Sequence, residues 1–349
     1  MSPPRARANL FLAAGSTVFA LLMLELVLRV VLPPPIHFRY PQESYDFDPQ
    51  VGHVLRPDQR AFTHDQEVVT NSHGFRDRDF AEQPEPGALR VLAFGDSQTF
   101  GNGLALADTW PKQLEGELNR RGAEQGARFE VVNGGIPDSD TWQHEILLGR
   151  LADLYHSHVA VLAFYVNDVA PRYEPKPTKT SEMTNSASKR LAYLAKRSAL
   201  VTWIRQRMLV LHVEQDLKKD RAYSEYILSG AESPEVERGW QQVRTSLAAM
   251  VRTCAERGID FRLAVLPRRD QVAGATSARA YNERIAAIAA EVGVASVDLL
   301  PELGAAYRAG RGDALFIPWD GHNSAVANAV IAERIARELL PLATRDAVR

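Results

Sequence analysis

Four short segments hold side chains able to carry an acyl transfer: Gly95-Asp96-Ser97, Asn133-Gly134-Gly135, Asn167-Asp168 and Trp319-Asp320-Gly321-His322. A serine hydroxyl is a weak nucleophile until an imidazole takes its proton, so Ser97 needs a base, and His322 is the candidate. That imidazole needs a carboxylate to fix its tautomer, and Asp320, two residues earlier, can curl back to supply one. Attack on an ester carbonyl places negative charge on oxygen. Three donors are available to meet it: the backbone N–H of Ser97, the backbone N–H of Gly135 and the side-chain amide of Asn167. Glycine at 135 is expected to let the backbone approach the substrate where a side chain would obstruct it. Singly each segment is a common turn, and it is their joint placement that points to a site.

The elements that must position them follow from the apolar runs Val91 to Phe94, Phe129 to Val132, Val159 to Phe164, Phe261 to Leu266 and Ala295 to Leu299. Runs apolar at nearly every position suit strands buried on both faces, and the spacing between them suits crossover helices. The expected fold is therefore α/β: a three-layer α/β/α, flavodoxin-like arrangement with a five-stranded parallel sheet. Ser97 then stands at a strand's carboxyl end, where open α/β sheets bind ligands. Helices are expected over Asp108 to Arg121, Thr141 to Tyr155, Gly239 to Arg257, Ala278 to Glu291 and Ser324 to Leu340, with Asp108 and Ser324 as N-caps and Gly122 and Gly258 as C-caps.

At this point the four blocks resemble the SGNH hydrolases, also called the GDSL esterase and lipase family. The resemblance covers about residues 88 to 342. It implies Ser97 as nucleophile, Gly135 and Asn167 beside Ser97 in the oxyanion hole, and Asp320 with His322 as carboxylate and base. It further implies an acyl-ester substrate, O-acetyl groups on carbohydrate among the candidates, and no metal or other cofactor. Two departures stand out. Gln98 replaces the usual Leu after the serine, and Asp-Gly-His is one residue tighter than the family's Asp-x-x-His, which leaves open which carboxylate orients His322.

Ahead of this domain, Leu10 to Leu32 is almost wholly apolar, close to the roughly twenty residues that span a bilayer. Arg5 and Arg7 precede the run and Pro33-Pro34-Pro35 end it, so the short N-terminus is expected in the cytoplasm and the rest outside it. The run is long for a cleaved signal and lacks small residues before Pro33, which favours a retained anchor. Glu25 and Arg29 interrupt the run at i,i+4, read as a tolerated pair near the outer boundary, with contact to a membrane partner as the sharper alternative. The expected organisation is an anchor at 1–35, a juxtamembrane arm at 36–87 of ordered but irregular structure, and a hydrolase-like domain at 88–345. Within the arm, Arg76 is expected to pair with a carboxylate of the main domain. An insertion at about 171–238, helix-like from Lys189 to Leu217, is expected to act as a lid or to lie with Leu191, Leu194, Trp203, Ile204 and Leu211 against the bilayer or a partner.

Asp96 is expected to shape its turn, Asp168 to hold a loop, and Asp138 and Asp140 to form a polar loop and helix cap. Cys254, the one cysteine, reads as an inert helix residue on a core face. The remaining histidines, His37, His53, His64, His73, His144, His156, His158 and His212, lack metal-ligand spacing. A net charge of −2 argues against nucleic acid as a partner. The expectation is an exported serine esterase in a bacterial inner membrane, its domain on the periplasmic side. The alternatives are an O-acyltransferase using the same site on a surface polysaccharide, and a non-catalytic surface-assembly or glycan-binding protein.

Overall fold

A computed structural model describes residues 3–32, 34–123, 126–176, 186–195, 197–205, 223–318 and 320–346. Helix α1, Pro3–Val31, is long and apolar enough over Asn9–Val31 to cross a membrane, and none of its apolar window is buried. Length and composition make it a candidate span; a signal sequence has the same features.

The arm is more regular than its sequence suggests. Strands β1 (Tyr45–Asp48) and β2 (Gly52–Leu55) pair antiparallel, as do β3 (Arg60–Thr63) and β4 (Gln66–Val69). Strands of four residues are too short to show alternation, which is why the segment reads as irregular. Arg76 corrects a second expectation. Among the described residues its buried guanidinium meets no carboxylate: Nη1 donates to the carbonyls of Phe100 (3.0 Å) and Gly101 (2.8 Å), and Nη2 to those of Glu67 (2.9 Å) and Leu104 (2.6 Å). Burial lowers its pKa to about 10, so it stays charged and staples the arm to the backbone beyond the Ser97 turn.

Five parallel strands form the main sheet: β5 (Ala88–Gly95), β6 (Arg128–Gly135), β7 (Val159–Phe164), β8 (Asp260–Val265) and β9 (Ala295–Asp298). Their order is β6-β5-β7-β8-β9, the flavodoxin-like doubly wound order. Alternate residues face opposite layers. Leu92, Phe94, Leu162 and Phe164 pack into one core with α4 (Thr141–Tyr155), α6 (Pro234–Arg257) and α8 (Ala280–Val292), while Val91, Ala93, Val161 and Ala163 pack into another with α3 (Trp110–Gly122), α9 (Leu300–Ala306) and α10 (Ala325–Asp346). The remaining labelled helices are short: α2 (Ser97–Phe100), α5 (Ala187–Ala195) and α7 (Arg269–Val272).

Among the caps, Ser324 and Gly258 stand as expected: Ser324 Oγ accepts from Val326 N at 3.1 Å, and Gly258 ends α6 at φ 68°. Asp108 does not cap α3, because the turn Leu106–Asp108 intervenes and Thr109 precedes the helix. Gly122 lies inside α3 rather than beyond it, packed where a Cβ would fall 2.9 Å from the Phe129 ring. Of the insertion, 187–195 and 199–205 are helical; Leu211 and His212 lie outside the described residues.

Candidate active site

The site forms where the sheet order reverses, between the carboxyl ends of β5 and β7. β5 ends at Gly95 and α2 begins at Ser97, with Asp96 capping the helix by accepting from Gln98 N at 2.8 Å. Burial pushes the Asp96 carboxyl up, countered by the Gln98 amide and the Asn167 side chain. Asp96 therefore does more than shape the turn: its Oδ2 accepts from Asn167 Nδ2 at 2.9 Å and ties the end of β7 to the start of α2.

His322 arrives from a tight loop before α10. The carbonyl of His322 accepts from Ile317 N at 2.8 Å, and the loop is pinned to α2 by Gln98, whose Oε1 accepts from Asn323 N at 3.1 Å. Gln98 at the position after the serine thus has a structural task. The loop places His322 Nε2 at 2.9 Å from Ser97 Oγ and puts Asp320 Oδ1 on His322 Nδ1. Asp320 is therefore the carboxylate beside His322 despite its tighter spacing. The turn also brings His322 N to 3.2 Å from Asp320 Oδ1. Trp319 lies outside the described residues.

One partner of this cluster comes from the arm. His64 Nε2 stands 3.0 Å from Asp320 Oδ2, so a histidine brackets the carboxylate on each side. Gln42 holds His64 in place, donating from Nε2 to the His64 carbonyl at 2.9 Å and accepting its N–H at 3.2 Å. Gly103 makes room for the ring: a Cβ there would fall 2.4 Å from His64 Nδ1. Sequence offered no signal for this, because His64 lies 256 positions from Asp320 in a stretch without periodicity.

The charges follow from the contacts. Burial pushes the Asp320 carboxyl up, but hydrogen bonds from His322 and His64 outweigh it and hold the group well below the usual carboxylate range. Burial pulls His322 down, yet the Asp320 hydrogen bond and charge prevail and keep the imidazole above its ordinary value. A basic imidazole beside an uncharged hydroxyl is the arrangement for proton abstraction.

Of the expected oxyanion donors, Ser97 opens α2 and so has no intrahelical acceptor for its N–H. Asn167 sits exposed in the turn after β7 and spends one amide proton on Asp96, which leaves the other. Gly135 differs: its N–H donates to Asn133 Oδ1 at 3.1 Å. Its missing side chain also serves another purpose than expected, since a Cβ at 135 would strike the α2 backbone, 2.2 Å from Phe100 N. The glycine lets β6 and α2 touch.

Beneath the site lies a buried polar row. Ser139 Oγ donates to the Ile136 carbonyl at 2.6 Å and accepts from His144 Nε2 at 2.8 Å, and His144 Nδ1 stands 3.3 Å from Asp168 Oδ1. Asp168 Oδ2 accepts from Tyr165 N at 2.6 Å. Burial drives His144 down to about 3 and Asp168 well up, so we read both as neutral. The row links the loop after β6 to the turn that carries Asn167, in line with Asp168 as a loop holder. Asp138 is in the left-handed region at φ 59°, and Asp140 immediately precedes α4, with its carboxyl pushed up to about 7 by burial. His156 faces Glu82 at 3.5 Å and His158 Nδ1 accepts from Arg90 N at 3.1 Å, so each has a structural partner.

A cavity of about 750 Å³ opens on the cluster, with Ser97, Asn167, His322, Ser224, Arg268 and Asp270 among its lining residues. Gly135 is not among its lining residues.

The sequence matches the family described as GDSL-like Lipase/Acylhydrolase over residues 93–329. No curated protein matches the chain by sequence. Among solved structures, similarity extends to an acetyl xylan esterase, AlAXEase, at 12% identity over 72% of this chain and 100% of that one, with a TM-score of 0.43. It extends also to a lipase/acylhydrolase from Enterococcus faecalis (15% identity, 72% and 96% covered, TM-score 0.39). A two-domain esterase active on acetylated mannans matches at 14% identity, with 75% of this chain and 50% of that one covered, and a TM-score of 0.42.

Proposed function

We propose, for a chain that belongs to the GDSL-like lipase/acylhydrolase family and is a serine ester hydrolase, that Ser97, His322 and Asp320 carry out the hydrolysis of small acyl esters on a polar, carbohydrate-like substrate outside the cytoplasm. The observation that carries the assignment is the 2.9 Å approach of His322 Nε2 to Ser97 Oγ with Asp320 behind it. Ser97 Oγ attacks the acyl carbonyl as its proton passes to His322 Nε2. The oxyanion forms against the Ser97 N–H and the second amide proton of Asn167, while the Gly135 N–H, spent on Asn133 and away from the cavity lining, takes no part. Collapse expels the alcohol, which takes the proton back from His322. Water then enters by the same route and releases the acid.

The cavity supports a short acyl group on a polar alcohol, because charged and amide groups such as Asn167, Arg268 and Asp270 line it. A long alkyl chain would have to desolvate them. Anchoring rests on the apolar stretch Asn9–Val31 of α1 and export on Arg5 and Arg7, which precede that stretch within the helix. The test is acetate release from acetylated xylan or mannan, set against hydrolysis of p-nitrophenyl acetate and p-nitrophenyl palmitate by the same preparation. Preference for acetate esters is expected. Preference for palmitate would overturn the substrate class while leaving the nucleophile in place.

A further inference from the structure

The charged pair inside α1 is not idle. Glu25 accepts from Ser198 Oγ at 2.7 Å, from Ala199 N at 3.0 Å and from Leu200 N at 2.8 Å, and so caps the helical stretch 199–205 of the insertion. Arg29 donates to Glu25 at 2.7 Å and, through Nη2, to the Arg197 carbonyl at 2.9 Å. A carboxylate within an apolar span is costly unless its lone pairs are met, and here the insertion meets them. A second contact lies just past the span, where the Arg190 guanidinium of α5 stands 5.4 Å over the Tyr40 ring.

These contacts fix the depth of the insertion. Glu25 lies six residues before Val31, about 9 Å along the helix axis from its outer end. That equals the depth of about 5–10 Å at which interfacial helices bury their apolar faces. The insertion also has the side chains for that place: Leu191 is 70% exposed, Leu194 55%, Ile204 40% and Trp203 36%. Four such residues exposed on two adjoining helical stretches make the kind of apolar patch that marks a protein or membrane contact.

We propose that residues 187–195 and 197–205 form an interfacial element seated in the outer leaflet, clamped to α1 by Glu25, and that its apolar face takes lipid acyl chains. The inference rests on α1 being a retained anchor. It has a consequence for the reaction. Arg39 N donates to the His64 carbonyl at 2.8 Å, eight residues after Val31, so the histidine that holds Asp320 lies within about 29 Å of chain from the span's end. The active site is then held at the membrane surface, placed for ester substrates presented there.

The full chain can be tested in vesicles of phosphatidylethanolamine and phosphatidylglycerol. Cys254 is buried and its thiol is pushed by burial up to about 12, so a cysteine-reactive NBD label reports only on an introduced site. Labels at Val18→Cys, Leu194→Cys and Glu338→Cys are compared with and without doxyl-labelled lipid. Loss of emission at 18 and 194 but not at 338 is expected. Loss at 18 alone would overturn the inference and leave the anchor standing. No loss at 18 would remove the anchor and the inference with it. A label at 194 shielded from water yet unquenched by doxyl lipid would indicate a protein partner and overturn the proposal. In Glu25→Ala and Glu25→Gln the loss at 194 should shrink while that at 18 persists; unchanged quenching at 194 would overturn the clamp.

Discussion

His322 is held above its ordinary pKa by Asp320, and only the neutral imidazole can accept the Ser97 proton. Activity should therefore fall on the acid side of neutrality. We predict that kcat/KM for p-nitrophenyl acetate falls with an acid midpoint above about 6.5, the free histidine value. Asp320→Asn should shift that midpoint down and cost about 10⁴-fold in kcat, since the imidazole loses both its tautomer control and its counter-charge. An unshifted midpoint would mean that another group orients the base. His64 adds a second tie on the same carboxylate at 3.0 Å. Hydrogen bonds to charged groups contribute about 1.5–3 kcal/mol, so His64→Ala should lower kcat by roughly 10–100-fold with KM little changed. His64→Gln, able to donate to Asp320 Oδ2, should recover part of the loss. Equal loss of stability and activity in both variants would reduce His64 to a packing residue.

At the scale of elements, the parallel strands and their helices were legible because the central strands β5 and β7 carry near-continuous apolar runs, whereas the edge strand β9, with Ser296 and Asp298, is polar at alternate positions. Val159–Phe164 and Thr141–Tyr155 match their expected bounds to the residue. The four blocks were legible for the same reason, since each follows such a strand or precedes a helix. What sequence hid was contact between distant segments. Gln98 holding Asn323 and Asp96 holding Asn167 join residues 225 and 71 positions apart through side-chain geometry that has no periodic trace. The row of Ser139, His144 and Asp168 is the extreme case, buried throughout and scattered over three elements. It also makes a prediction. His144 is driven down to about 3, whereas an unfolded histidine titrates near 6.5. Above that unfolded value the neutral ring carries no penalty. As pH falls below it the unfolded chain takes a proton that the folded chain refuses, so stability is lost at up to about 1.4 kcal/mol per pH unit between roughly 6.5 and 3. Urea midpoints across that range should fall less steeply in His144→Gln than in the native protein. Parallel slopes would show that the ring is charged in the fold.

For the whole molecule, the arm is what joins membrane to chemistry. Beyond His64 and Arg76, Asp77 accepts from Lys112 Nζ at 2.8 Å and from Asn133 N at 2.9 Å, and Gln143 donates to the Val51 carbonyl at 2.6 Å. Composition could not foretell this, because polar residues in a loop-like stretch carry no mark of what they touch. Two truncations should separate anchor from arm. Removing residues 1–35 is expected to leave a folded esterase on soluble p-nitrophenyl acetate, whereas removing 1–87 should abolish activity and expose the main domain to aggregation on gel filtration. Retained activity in the shorter chain would confine the site to the main domain.

The claim on which the rest depends is that Ser97 is the nucleophile and His322 its base. The direct measurement is reaction of the full chain with a fluorophosphonate, followed by peptide mass mapping of the adduct. The geometry predicts one adduct on the peptide bearing Ser97, absent in Ser97→Ala and strongly slowed in His322→Ala. An adduct elsewhere, or equal labelling of all three proteins, would contradict it.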